Sequence, residues 1–273
     1  MRGRLVAVPF GAMTLGESMD CATRDRHSAP DNVGSVRSWS VSHTGSVRHV
    51  NQDRYLARDT LGLWLVADGA GGHEGGGRAS QVIVDEFERL PPRLSDETIV
   101  RESARALKKA HLFLRRCARE QHNHSMIVST AVVLVLRGER LSCHWVGDSR
   151  AYRHRDGQVA LLTRDHSLVQ ELMDTGRLTA SEAGRHPQRN VITRAVGADC
   201  DTLEIESLTA RVEPGDFYLL CSDGLSATLS DTEIAAAFDL SPSLIADALI
   251  DAALAKQASD NVTAVVISVP RHR

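Results

Sequence analysis

The sequence predicts an α+β fold in which antiparallel β-sheets are flanked by helices. Strand-like apolar runs follow one another directly as hairpins, and helix-like stretches come in pairs rather than one per strand. A doubly wound parallel sheet would need the opposite pattern. At 273 residues the chain suits one large domain, and no repeat or low-complexity linker divides it.

Residues 1–37 lack sustained periodicity and are rich in Gly, Ser, Asp and Arg, so a flexible leader is expected there and a folded domain over 38–273. Two arginines followed by apolar residues near Met1 echo a secretory signal. Pro9 and Gly11 interrupt that run and no small-residue cleavage site follows, so the expected location is the cytoplasm. Residues 63–67 form a continuous apolar run of buried-strand length. Ala79, Val82, Ile83, Phe87 and Leu90 recur at helical spacing until Pro91-Pro92 ends them. Val100, Ala104, Leu107, Ala110, Leu114 and Ala118 line one side of a longer helix, with Arg and Lys opposite. Residues 131–136 and 141–146 read as a hairpin about Gly138-Glu139, and a second hairpin turns at Asp156-Gly157. Strands are further expected at 192–194, 217–221 and 262–267, with a third helix over 244–254.

Bulk properties exclude several functions. The 42% hydrophobic and 25% charged composition is that of a soluble globular protein. A net charge of −3 argues against a general nucleic-acid binder. No apolar run reaches the roughly 20 residues of a membrane span. The 5 cysteines are scattered without metal-ligand spacing, so they read as reduced thiols, with Cys117 and Cys143 as core filler.

Chemistry is concentrated in acidic residues where strands meet loops. Asp53 closes Asn51-Gln52-Asp53; Asp68 and Asp223 each end an apolar strand and precede a glycine; Asp148 follows Trp145-Val146-Gly147; Asp260 precedes the last strand. One Asp-Gly at a strand end is usually only a turn. Several such carboxylates delivered to one place repel each other unless cations lie between them, and oxygen-only ligands suit Mg²⁺ or Mn²⁺. The glycines let the backbone approach the ions closely and free a carbonyl as a further ligand.

The ordered set Arg48…Asn51-Gln52-Asp53, Val66-Ala67-Asp68-Gly69-Ala70-Gly71-Gly72-His73, Gly147-Asp148-Ser149-Arg150, Asp165-His166-Ser167, Ser222-Asp223-Gly224 and Asp260-Asn261-Val262-Thr263 resembles the bacterial branch of the PPM-type (type 2C) protein phosphatases over about 38–269. The resemblance implies two antiparallel sheets packed as a central sandwich with helices on the outer faces. It implies that Asp68 bridges two metal ions and Gly69 adds its carbonyl, while Asp223 and Asp260 hold the second ion. Asp53 would steady water at the metals, and Asp148 with Asp223 would line a third, weaker site. Arg48 resembles the phosphate-binding arginine, whose planar fork suits two phosphate oxygens. His73 is the candidate general acid. The remaining histidines, His122 and His124 among them, are expected on the surface. The segment over about 168–190 resembles the family's flap, with Met173, Gly176 and Arg177 as candidate peptide contacts. The family's cations activate water beside phosphorus, so no Ser or Cys nucleophile is required.

Ala70, Gly77 and Gln52 depart from the commoner bacterial pattern, but no candidate ligand is lost. The partners implied are phosphorylated proteins and a cognate Ser/Thr kinase, with the chain acting as a monomer. Two rivals are weighed against this: a catalytically silent phosphoprotein-binding adaptor of the same fold, and another two-metal hydrolase such as a nuclease. The complete aspartate set speaks against the first, the acidic charge and the motif order against the second.

Overall fold

The runs read as strands are apolar on both sides because both sides are covered. In the computed structural model, which describes residues 24–28, 36–71, 75–120 and 126–271, Leu63, Leu65 and Ala67 face one core while Trp64 and Val66, between them, face another. In chain order the elements are β1 (Arg24–Ser28), β2 (Arg37–His43), β3 (Asp53–Arg58), β4 (Leu63–Ala70), α1 (Gly75–Glu88), α2 (Asp96–Glu120), β5 (Val128–Ser129), β6 (Ala131–Arg137), β7 (Arg140–Val146), β8 (Arg150–Arg155), β9 (Gln158–Leu161), α3 (Leu168–Asp174), α4 (Ala180–Ala183), β10 (Glu206–Arg211), β11 (Phe217–Cys221), α5 (Asp223–Ser226), α6 (Asp231–Ala237), α7 (Pro242–Ala255) and β12 (Val262–Ser268).

Two antiparallel sheets result. One runs β1-β2-β12-β11-β8-β9 and the other β10-β7-β6-β4-β3, with β5 pairing the end of β4. Trp64, Val66, Val132, Leu134, Tyr218, Leu220, Val265 and Ile267 interlock between the sheets. α1 and α2 cover the outer face of the second sheet through Ile83, Phe87, Leu107 and Leu114. α6 and α7 cover the first through Ile234, Leu249 and Ile250. The α+β class and both predicted hairpins are present, with turns at 138–139 and 156–157.

Three expectations need correction. Arg24–Ser28, inside the expected leader, pairs with β2 as an edge strand; Arg24 reaches Asp247 and Asp251 of α7, and Arg26 reaches Asp247. Residues 192–194 do not form a strand: Ile192 makes only an isolated bridge to Ser167. Three histidines expected at the surface, His111, His144 and His166, are buried. Cys117, Cys143 and Cys221 are buried free thiols and Cys200 is exposed, whereas Cys21, His122 and His124 lie outside the described residues. Among the described residues no helix is long and apolar enough to cross a membrane.

The strand end that carries Asp68 depends on a backbone-to-backbone approach. A Cβ added at Gly69 would stand 2.1 Å from the carbonyl oxygen of Gly76, at the start of α1. Gly69→Ala is therefore expected to destabilise the fold by about 1–3 kcal/mol in denaturant titration. Gly184→Ala, where nothing lies within 4 Å, should stay within about 0.5 kcal/mol of wild type; equal effects from the two would refute the close-approach account.

Candidate metal centre

β3 and β4 pair antiparallel so that Asp53, the first residue of β3, stands directly opposite Asp68 near the end of β4. Asp148 lies in the turn between β7 and β8, Asp223 opens α5 immediately after β11, and Asp260 precedes β12. The sandwich thus gathers all five aspartates at one end. Four of the five predicted ligand carboxylates also act on Asp68 or Asp53 at short electrostatic range: Asp68 feels Asp53, Asp223 and Asp148, while Asp53 feels Asp223 and Asp260.

Asp53 is 2% exposed. Its Oδ2 accepts hydrogen bonds from Ser222 Oγ and Thr263 Oγ1, each at 2.7 Å, while Oδ1 is buried with no partner. Burial raises its pKa to about 7 despite the two hydroxyls, which pull the other way, and Asp223 and Asp260 add to the rise. Ser222 occupies the N-cap position of α5 but makes no side-chain cap bond there, because its hydroxyl is given to Asp53.

Asp68 is held by its main chain. Its N–H donates to Thr130 Oγ1 at 3.1 Å, and its carbonyl accepts from Thr130 N and Ser129 Oγ, both at 2.8 Å. Burial first, then Asp53, Asp223 and Asp148, push its carboxyl well above the ordinary range. Asp223 is raised by burial and by Asp260, and its Oδ1 is buried and unpartnered. Asp148 is raised to about 8, by burial and then by Asp223 and Asp165.

This donor set fits divalent cations. All side-chain donors are carboxylate oxygens, two of the oxygens are buried without a partner, and the groups raise one another's pKa, which a hard cation would reverse. Among the described residues no three His, Cys, Asp or Glu side chains already stand as a closed cage.

Arg48 stands at the rim, exposed, with Nη2 donating to Asp260 Oδ2 at 2.8 Å. Its loop is tied down by Asn261, whose Oδ1 accepts from Gln52 N at 2.7 Å and whose Nδ2 donates to the carbonyls of Thr44 at 2.8 Å and Val50 at 3.0 Å. His73 lies outside the described residues. The flap segment carries α3 and α4 and encloses a cleft of about 380 Å³ against the carboxylates, lined by Asp148, Asp223, Met173, Ala183, Arg189 and Asn190. Met173 faces this cleft, whereas Gly176 and Arg177 are not part of its lining; Arg189 and Asn190 take their place.

Reading the motifs left out Ser129 and Thr130 and gave no role to Ser222, Asn261 and Thr263, which it quoted beside the aspartates; these residues orient the carboxylates and the Arg48 loop. A signal was present in the last three, which are polar residues inside or beside otherwise apolar strands. A buried hydroxyl or amide there must find a partner.

The chain matches the family model described as protein phosphatase 2C over residues 42–257. It belongs to that family. Over 238 residues it is 36% identical to the serine/threonine protein phosphatase PstP of Mycobacterium tuberculosis, covering 86% of this chain and 45% of PstP, so it spans about half the length of that curated relative. Among solved structures, PppA, a key regulatory component of T6SS in Pseudomonas aeruginosa, superposes with a TM-score of 0.78 at 40% identity, covering 85% of this chain and 97% of PppA. The catalytic domain of PstP in complex with two manganese ions superposes with a TM-score of 0.78 at 32% identity, covering 86% and 99% of the two chains. These phosphatase-2C structures share the α-β-β-α sandwich described above.

The raised carboxyl pKa values set the pH behaviour of protein stripped of metal. A carboxyl whose folded pKa lies above the unfolded value of 3.8 contributes stability that is complete below about pH 4 and is lost as pH rises through the folded pKa. With Asp53 at about 7 and Asp148 at about 8, the melting temperature in EDTA should fall steadily from pH 5 to pH 8. With saturating Mn²⁺ this fall should be reduced or reversed. A flat profile in EDTA would show that the carboxyls do not repel as described.

Proposed function

We propose that this protein is a metal-dependent serine/threonine protein phosphatase that hydrolyses phosphoserine and phosphothreonine in proteins. The observation that carries this reading is the convergence of five aspartates around two buried, unpartnered carboxylate oxygens beside an arginine at the rim. Asp68 would bridge two Mn²⁺ or Mg²⁺ ions with the Gly69 carbonyl as a further ligand. Asp223 and Asp260 would hold the second ion, and Asp148 with Asp223 a third, weaker one. Once bound, such ions acidify water beside the phosphoryl group and offset its negative charge.

The side chains supply the rest. Asp53, fixed by Ser222 and Thr263 through Oδ2, keeps Oδ1 free to orient water. Arg48 exchanges Asp260 for phosphate oxygens, one charge-assisted hydrogen bond replacing another, so the exchange costs little. His73, four residues beyond Gly69 in the chain, is the candidate donor of a proton to the departing serine or threonine oxygen. The cleft under the flap borders Asp148 and Asp223, where chain flanking the phosphoresidue can lie. The setting we propose is the cytoplasm, with the chain as a monomer reversing a cognate Ser/Thr kinase; similarity to PppA, a key regulatory component of T6SS, supports a regulatory role.

The deciding assay follows phosphate release from a phosphothreonine peptide. Wild type should turn over with Mn²⁺ or Mg²⁺ and stop in EDTA, Asp223→Ala should be inactive, and Arg48→Ala should lose on the order of 10²-fold in kcat/KM. A folded wild type that binds the peptide but releases no phosphate across several metals would instead identify the silent adaptor.

A further inference from the structure

The motif Asp165-His166-Ser167 has so far been given no task, yet it sits where the flap meets the carboxylates. Asp165 grips Arg150 through both oxygens, with Nε at 2.9 Å and Nη2 at 2.7 Å. Ser167 accepts from Gln170 N to cap α3. His166, between them, is 5% exposed and bonds to both main-chain polar groups of one residue. Gly147 N–H donates to His166 Nδ1 at 3.1 Å, and His166 N–H donates to the Gly147 carbonyl at 2.9 Å.

Gly147 immediately precedes Asp148, and its φ of +105° commits the turn to a conformation that side chains resist. From the other side Thr130 closes in: a Cβ on Gly147 would lie 2.6 Å from Thr130 Cβ. Gly147 is thus clasped between Thr130 and His166, and the direction in which Asp148 leaves the strand is set by that clasp. The far edge of the ring has its own support. Nε2 lies 3.3 Å from Glu206 Oε1, without hydrogen-bond alignment, and Glu206 is engaged by Arg194 at 3.2 Å. The Trp145 ring stacks at 6.4 Å between centroids, and the His166 carbonyl accepts from Thr193 N at 2.8 Å, just past the flap's second end.

We propose that His166 is a positioning residue whose Nδ1, by accepting the Gly147 N–H, aims the Asp148 carboxylate toward Asp223 and so sets the affinity of the cation site these two aspartates share. The ring touches no reacting atom; it works through the turn. Because Nδ1 is the acceptor, the neutral ring carries its proton on Nε2, facing Glu206. The shared cation site rests on the phosphatase reading above, but the hydrogen bond does not.

Three substitutions separate positioning from bulk. His166→Asn keeps an acceptor oxygen near the place of Nδ1, His166→Gln places one toward Nε2, and His166→Ala keeps neither. The readouts are hydrogen exchange of the Gly147 amide, calorimetric Mn²⁺ titration and thermal unfolding, with Asp148→Asn identifying the Mn²⁺ step that Asp148 serves. In the Ala and Gln variants the Gly147 amide should exchange faster and that step should weaken about 10–100-fold, as for other residues that orient metal ligands, while Asn should restore it to within about threefold.

A merely structural role would lower the melting temperature in all three variants without this order of rescue. A Gly147 amide still protected in His166→Ala, rescue by Gln equal to that by Asn, or an Asp148-dependent step unmoved when the hydrogen bond is lost would each overturn the proposal. So would wild-type Mn²⁺ binding that Asp148→Asn leaves unchanged. If His166→Ala does not fold, the Asn–Gln comparison still decides. If wild type binds Mn²⁺ through Asp148 but hydrolyses no phosphopeptide, the phosphatase reading fails and this inference stands or falls on the titration alone.

Discussion

Like charges do not share a buried space unless something compensates them, and this fold brings four carboxyls into one such space with a fifth, Asp260, at its rim. Asp53, Asp68, Asp148 and Asp223 all titrate high because burial disfavours the ionised form and each neighbour's charge adds to the penalty. The fold tolerates this at the strand ends because the two sheets behind it are dense and apolar. Trp64, Tyr218, Leu220 and Val265 between the sheets, and the helices on the outer faces, supply the stability that the acidic end spends.

A second constraint is precision. Repelling side chains spread apart unless something fixes them, and here neutral hydrogen-bonding residues do so, at the main chain of Asp68 and at the carboxylate of Asp53. Thr130 and Ser129 grip Asp68, Ser222 and Thr263 grip Asp53, and Asn261 ties down the loop that carries Arg48. His166 does the same for the Asp148 turn. These partners are neutral, so they orient the carboxylates without cancelling the charge that attracts a cation.

How much of this was legible in the sequence follows from what pattern can encode. Asp68 and Asp223 could be placed because a continuous apolar run marks the strand and the Asp-Gly marks its end. β2 escaped because Ser38, Ser40 and Ser42 read as polar, although all three are buried; Ser38 reaches Asp59 and Ser42 reaches Thr263. β1 escaped because its docking depends on ion pairs with α7, more than 200 residues away in the chain. His166 was expected at the surface because nothing in its own neighbourhood announces that its partner is a main-chain N–H of Gly147. Sequence periodicity reports which face is apolar; it does not report which peptide group a buried polar side chain will meet.

The central claim is that Asp68 is kept for function against the interest of the fold, and thermal unfolding of Asp68→Asn beside wild type at pH 8, each with EDTA and with Mn²⁺, tests it most directly. Removing the charge should relieve repulsion, so the variant should melt higher than wild type in EDTA and lose the rise that Mn²⁺ gives wild type. A variant that melts lower than wild type in EDTA, or that still gains stability from Mn²⁺ as wild type does, would contradict the account.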